Sequence, residues 1–153
     1  MATQWTAGTT SGQVLTAATL NTIGAAWESY TPTFKTGADT KTITITYAKY
    51  ARFQKTVIVQ ILATCTQAGT ALGILSLSPP VGLAPVSGGL NRCIGTISVF
   101  DSGTAFYVGS CIYDGTSFLG VGYGTNNYMG ANIPAMTIAV NDQISIEVTY
   151  EVA

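Results

Sequence analysis

The sequence predicts an all-β chain, an antiparallel β-sandwich or jelly roll of about eight strands behind an N-terminal extended arm with a short helix. Three observations carry that reading. From Thr31 onward, apolar and polar residues alternate with a period of two, as in strands with one buried face. The alternating runs are short and evenly punctuated by Gly, Pro and Asp-Gly turns, the pattern of a sandwich or jelly roll. Finally, 153 residues that are 47% hydrophobic suffice for one domain with a core and are too few for two comfortable ones.

Residues 1–30 form the first expected unit. "MATQWTAGTTSGQ" is small, polar and glycine-bearing, the composition of an extended arm, with Trp5 its only large side chain. In "TAATLNTIGAAW", Thr16 can cap a short helix in which Leu20, Ile23 and Trp27 recur at helical spacing. Two or three turns are marginal alone and need a surface to pack on. Trp5, Leu15, Leu20, Ile23 and Trp27 are therefore the apolar set of a candidate attachment arm.

Residues 31–153 form the second unit. "TITITY" places Ile43, Ile45 and Tyr47 on one face and threonines on the other; "TVIVQILA" turns Val57, Val59 and Ile61 inward with Gln60 between them. "ISIEVTYEV" sets Ile144, Ile146, Val148, Tyr150 and Val152 against Ser145, Glu147, Thr149 and Glu151, so this strand is expected within a sheet. Between them "GILSLS", "CIGTISVF", "AFYVGSCIY", "SFLGVGYG" and "AMTIAV" read as further strands. Pro79-Pro80, Gly88-Gly89, Asp101-Ser102-Gly103, Asp114-Gly115 and Asn126-Asn127 separate them. The likeness of "FDSGTAFYVG" to "YDGTSFLGVG" is read as shared turn chemistry.

Charge is scarce. Only 8% of residues are Asp, Glu, Lys or Arg, against roughly 25% in an ordinary soluble domain, so Thr, Ser, Asn and Gln, or other protein, must cover the surface. A net charge of −1 gives no global reason to expect nucleic acid or membrane as a partner. Five of the six basic residues lie between Lys35 and Lys55, which suits a solvated strand face or a docking patch. The opening residues lack the basic and apolar regions of a signal peptide, and no run approaches the ~20 apolar residues of a membrane span, so synthesis in a cytosol is expected.

Three cysteines form no disulfide framework. An Asp101-Ser102-Gly103 hairpin loop would set Cys93 directly opposite Cys111, where a disulfide would be strained, so two buried free thiols are expected. With no histidine, the commonest general base and metal ligand are missing. The carboxylates are scattered singly, and no nucleophile elbow, phosphate loop or Cys-x-x-Cys occurs. The expectation is no enzyme, no metal and no cofactor. Tyr113, Tyr123, Asn126, Asn127, Tyr128 and Asn132 gather in the loops from 113 to 133, a mixture suited to sugar stacking or protein contact and equally to ordinary exposed turns.

"AWESYTPTF", "YAKYARFQKTVIVQ", "LSLSPP" and "DQISIEVTYEVA" together resemble a β-domain of small virion proteins of tailed bacteriophages. In that family W-x-S-Y-T-P-T opens the sandwich, Y-x-R-x-G-K-x-V makes an early strand pair and a T-Y-E strand closes it. "WTAGTTSGQVLTAATLNT" is similar to the openings of phage tail-fibre, minor tail and head-decoration proteins. Gln54 stands where the family has glycine, while Lys55 and Val57 match. The resemblance implies a structural protein on the virion exterior, held to a major capsid or other platform protein by its arm, and assembled as a homotrimer. Tyr30, Pro32 and Phe34, with Trp27, would be the joint between arm and sandwich. Without heptads or shaft repeats after residue 30, a capsid decoration or head-fibre protein is favoured over a tail-tip, baseplate or tail-fibre protein, which includes a host-glycan adhesin. Ile58, Leu62, Phe106 and Tyr128 are candidate subunit contacts, although a second sheet could cover Ile58 and Leu62.

Overall fold

The computed structural model describes residues 26–67, 72–86, 92–122, 127–132 and 134–152. The expected arm and short helix lie outside them, up to Ala26. The described chain is all-β and forms one antiparallel sheet of ten strands curled into a half-barrel. The strands are β1 (Glu28–Ser29), β2 (Phe34–Thr36), β3 (Asp39–Lys41), β4 (Ile43–Phe53), β5 (Thr56–Cys65), β6 (Leu75–Leu77), β7 (Cys93–Asp101), β8 (Ala105–Tyr113), β9 (Phe118–Val121) and β10 (Gln143–Glu151). Their order across the sheet is β1-β4-β5-β10-β7-β8-β9-β6-β2-β3. The expectation of about eight strands therefore undercounts: three short strands between residues 28 and 41 add to the sheet, and β1 already belongs to it two residues before the expected end of the arm.

The regular strands follow their alternation. β10 is paired along both sides, with β5 and β7, and buries Ile144, Ile146, Val148 and Tyr150. Val57, Val59 and Ile61 on β5 face the same core. In β4 the alternation breaks. The register with β5 slips between Ile45 and Tyr47, leaving Thr46 as an extra residue, so Ile43 and Ile45 face inward but Tyr47 faces out and Ala48 and Tyr50 take over the inner side. The β7–β8 loop is Ser102-Gly103-Thr104, one residue later than expected, so Asp101 pairs with Ala105 and Gly95 rather than Cys93 lies opposite Cys111; a second slip, between Cys93 and Gly95, then sets Cys93 against Ile112. Gly95 also lies against β10, where a Cβ would run into the Glu147 carbonyl oxygen. The expected strand over 135–140 is irregular chain, yet its period still buries Met136 and Ile138.

The curl is closed by two short passages. β1 lies at one edge of the sheet beside β4, while β2 lies near the other edge beside β6, and only Tyr30–Thr33 separate them in sequence. Five residue steps reach at most about 17 Å, so the two edges must come close. The second passage is tighter. β3 ends at Lys41 on the far edge and β4 begins at Ile43, at most about 7 Å away. Thr42 makes this corner: its carbonyl accepts from the Thr66 amide (3.0 Å) and its amide donates to Gln67 Oε1 (3.0 Å).

The residues expected as a joint build the first passage. Tyr30 donates its backbone N–H to the Ala48 carbonyl (3.0 Å) and stacks edge-on against Tyr50, with centroids 6.0 Å apart. Pro32 is buried where no ladder bond is needed, and Phe34 is fully buried. Inside, Phe118 joins Tyr150 (5.6 Å) to Tyr113 (6.3 Å), so strands from both halves of the curl share one core.

Polar groups within this core are treated unequally. Asp142, 1% exposed, accepts from the Ser102 amide through Oδ1 (2.8 Å) and from the Ala139 amide through Oδ2 (2.7 Å), tying the β7–β8 turn to the segment leading into β10. The hydroxyls of Tyr30, Thr36 and Tyr150 are buried without a hydrogen-bond partner among the described residues. Burial pushes the Tyr30 and Tyr150 phenols far above their usual range; the thiol of Cys111 adds to the effect at Tyr30, and neighbouring tyrosines add to it at Tyr150.

Two stability predictions follow from these turns. Phe53 pairs with Thr56, so Gln54 and Lys55 are the hairpin loop, and Gln54 sits at φ 54, in the region that favours glycine. Arg52 Nε donates to the Gln54 carbonyl (2.6 Å) and helps hold the turn. Gln54→Gly is expected to stabilise the protein by about 1 kcal/mol in chemical denaturation. Asp142→Ala orphans two backbone donors and is expected to cost about 3 kcal/mol in the same measurement.

Candidate interaction surface

Curling one sheet around a core leaves its outer face to be covered by its own side chains. On most strands these are Thr, Ser and Gln, as the alternation predicts, but two regions are apolar.

The first spans β1, β4 and β5. The slip at Thr46 turns Tyr47 outward, and Lys49, Ala51 and Phe53 follow on the same side. Opposite them on β5 stand Leu62 beside Tyr47, Gln60 beside Lys49, Ile58 beside Ala51 and Thr56 beside Phe53. Trp27 and Phe53 are each about half exposed (46% and 50%), Tyr47 and Ile58 somewhat less so, and Leu62 is half-buried. Lys49 Nζ lies 4.7 Å from the Trp27 ring centroid and 5.4 Å from that of Tyr47, so its charge rests on two aromatic faces. Next to it, Tyr50 donates its hydroxyl to Glu28 Oε2 (2.6 Å), a bond that pushes the phenol above its ordinary value, aided by burial.

The second region is the outer side of the β7–β8 hairpin. Phe100 faces Phe106 across the ladder and Val108 faces Ser98. Phe106 and Val108 are exposed by 63% and 61%. From Cys93 to Tyr113 the only charged residue is Asp101. The outward row of β10, from Gln143 through Ser145, Glu147 and Thr149 to Glu151, is polar and separates the two regions.

The other sequence candidates are spread out. Trp5, Leu15, Leu20, Ile23, Tyr123 and Asn126 lie outside the described residues. Asn127, Tyr128 and Asn132 share one loop: the Asn127 carbonyl accepts from the Gly122 amide (2.7 Å), Tyr128 bridges to Val121, and the Asn132 amide donates to the Tyr128 carbonyl (3.0 Å). Tyr128 is half-buried and Asn132 exposed. Tyr113 does not join them as a contact residue. It is the last inward residue of β8, is buried against Phe118, and donates its hydroxyl to the Gly115 carbonyl (2.7 Å). The adjoining turn is held by Asp114. Burial raises its carboxyl, but the amides of Ser117 and Thr116 and the Thr116 hydroxyl outweigh that and hold it below the usual value.

Among the described residues no cluster of three or more His, Cys, Asp or Glu could hold a metal ion. Comparison with protein-family models, curated proteins and solved structures finds no match to this chain.

All three cysteines are free, but they are not equivalent. Cys65 and Cys111 are buried, whereas Cys93 is exposed, contrary to the expectation that both members of the 93/111 pair lie inside; the slip at Ile94 turns them to different sides. Burial, with the charge of Cys93 adding to it, pushes the Cys111 thiol up to about 12. At neutral pH Cys111 therefore stays protonated and covered. Native protein treated with a maleimide at pH 7 is expected to take one label rapidly, at Cys93, and three after denaturation; rapid labelling of Cys111 would contradict this placement.

Proposed function

We propose that the protein is a structural subunit of the exterior of a tailed-bacteriophage virion, a capsid decoration or head-fibre protein that is fastened to its platform by residues 1–30 and assembles as a homotrimer. The observation that carries this reading is the exposed, nearly uncharged outer face of the β7–β8 hairpin. Phe100, Phe106 and Val108 form a contiguous apolar surface of a kind that monomeric proteins tend to keep small. A patch without net charge can meet copies of itself about a symmetry axis without like-charge repulsion. The family resemblance supports the same reading from another side. The W-x-S-Y-T-P-T stretch that carries it is the segment that brings the two edges of the sheet together, so a motif shared with virion β-domains is tied to the closure of this fold. In this reading the curled sheet serves as the family's jelly roll, with β7–β8 turned towards neighbouring subunits.

Light scattering on the full chain tests the assembly. Three times the chain mass is expected at both low and high salt, because few charges stand in the contact. Phe106→Glu is expected to weaken assembly by about 2 kcal/mol or more per contact and to give folded monomer. A wild-type protein that is monodisperse monomer in both salts overturns the trimer. Imaging of labelled protein on purified particles then separates the sites: label over the capsid supports decoration, and label at the tail tip replaces it with the tail reading.

A further inference from the structure

The outer face of β4 and β5 is a second apolar region, and its position relative to the chain distinguishes it from the β7–β8 patch. Residues 1–25 precede Ala26, and Trp27 immediately after it places its ring on this face, stacked under the same Lys49 ammonium that covers Tyr47. The point where residues 1–25 join the described chain is thus beside the β4–β5 face, and the polar outer row of β10 lies between that face and the β7–β8 patch.

The chemistry of the two surfaces matches. Residues 1–25 contain no charged side chain and carry Trp5, Val14, Leu15, Leu20 and Ile23 among Thr, Ser, Gln and Asn. A segment so poor in charge lacks the composition that keeps chains solvated and apart from other surfaces. The face offers Trp27, Tyr47, Phe53, Ile58 and Leu62 for its apolar residues. Its charges are already engaged: Lys49 lies over two rings, and Gln60 Nε2 donates to Glu147 Oε1 (3.2 Å) at its border. An uncharged partner would meet Lys49 already resting on two aromatic faces.

Reach and tethering favour the chain's own segment over a second copy. A ten-residue strand such as β5 is about 33 Å long, and 25 residues can extend about 80 Å. A segment joined through Ala26 meets the face at an effective concentration on the order of millimolar, which a second molecule seldom reaches.

We propose that the outer face of β4 and β5 is the docking surface for residues 1–25 of the same chain in the free protein. The docking stands whether or not the virion reading holds, since it concerns the protein before any platform engages the arm.

A photo-reactive p-benzoylphenylalanine at position 58 of the full chain, and separately at position 108 as a control, tests it. After irradiation, position 58 is expected to cross-link within residues 1–25 in a product of monomer mass, and position 108 is not. Cross-links from position 58 that avoid residues 1–25, or that appear only at dimer mass, overturn the proposal. Independently, Ile58→Asp with Phe53→Ser is expected to raise the rate of chymotryptic cleavage within residues 1–25 about tenfold, by the loss of roughly 1.4 kcal/mol of docking. An unchanged rate in the folded variant also overturns it.

Discussion

Everything in this fold depends on holding the two edges of one sheet close together. A single curled sheet has only one inner face, and its strands can bury that face only against each other. Phe34, Leu75 and Leu77 come from one end of the strand order; Val57, Val59 and Ile61 come from near the other. They share a core because Tyr30–Thr33 and Thr42 carry the chain directly from edge to edge. The requirement explains the aromatic and proline content of the first passage. A backbone that crosses between edges lacks a full set of ladder partners, so the chain uses a proline that has no N–H to satisfy and anchors the flanking Tyr30 and Phe34 by burial.

The same constraint separates what was legible in the sequence from what was not. Alternation tells which side of a strand faces the core, and where the ladder runs unbroken it was a sufficient guide: β5 and β10 place every expected residue inward. Met136 and Ile138 keep the same period in a segment that was expected to be a strand and forms none. Alternation says nothing about which strand lies beside which, so a sandwich of two sheets and one curled sheet look alike at that level. Nor can it register an extra residue. The slips at Thr46 and Ile94 leave composition unchanged, and they turned Tyr47 outward and set Cys93 and Cys111 on different sides. Strands of two or three residues, such as β1, β2 and β3, are shorter than the window in which a period can be recognised.

For the outer surface the legible part was smaller. Phe106 and Ile58 stood at outward positions in the alternation, and both are exposed. The partners that turn single residues into patches, Phe100 beside Phe106 and Tyr47 beside Leu62, emerge only once pairing is known. Tyr113 was misplaced for a related reason. Its neighbours Asp114 and Gly115 announce a turn, and a residue at the end of a strand can face either way; the register of β8 with β9, where Tyr113 opposes Phe118, decides for the core.

The distribution of open backbone groups completes the physical picture. A curled sheet that does not close fully has two edges, each able to pair with a foreign strand. Here the edge strands are β1, with two residues, and β3, with three, and β3 carries Asp39 and Lys41, whose side chains pair at 3.8 Å. These short strands cover their neighbours only in part: β1 pairs with β4 at Tyr50 and Lys49 alone, as β9 pairs with β8 only from Ser110 to Tyr113. The apolar material lies on the outer faces of four long strands, β4, β5, β7 and β8, of which β5 and β7 are paired with a neighbour on both sides. Contact made there uses side chains alone, which restricts partners to surfaces of matching shape and leaves the ladder that holds the fold untouched.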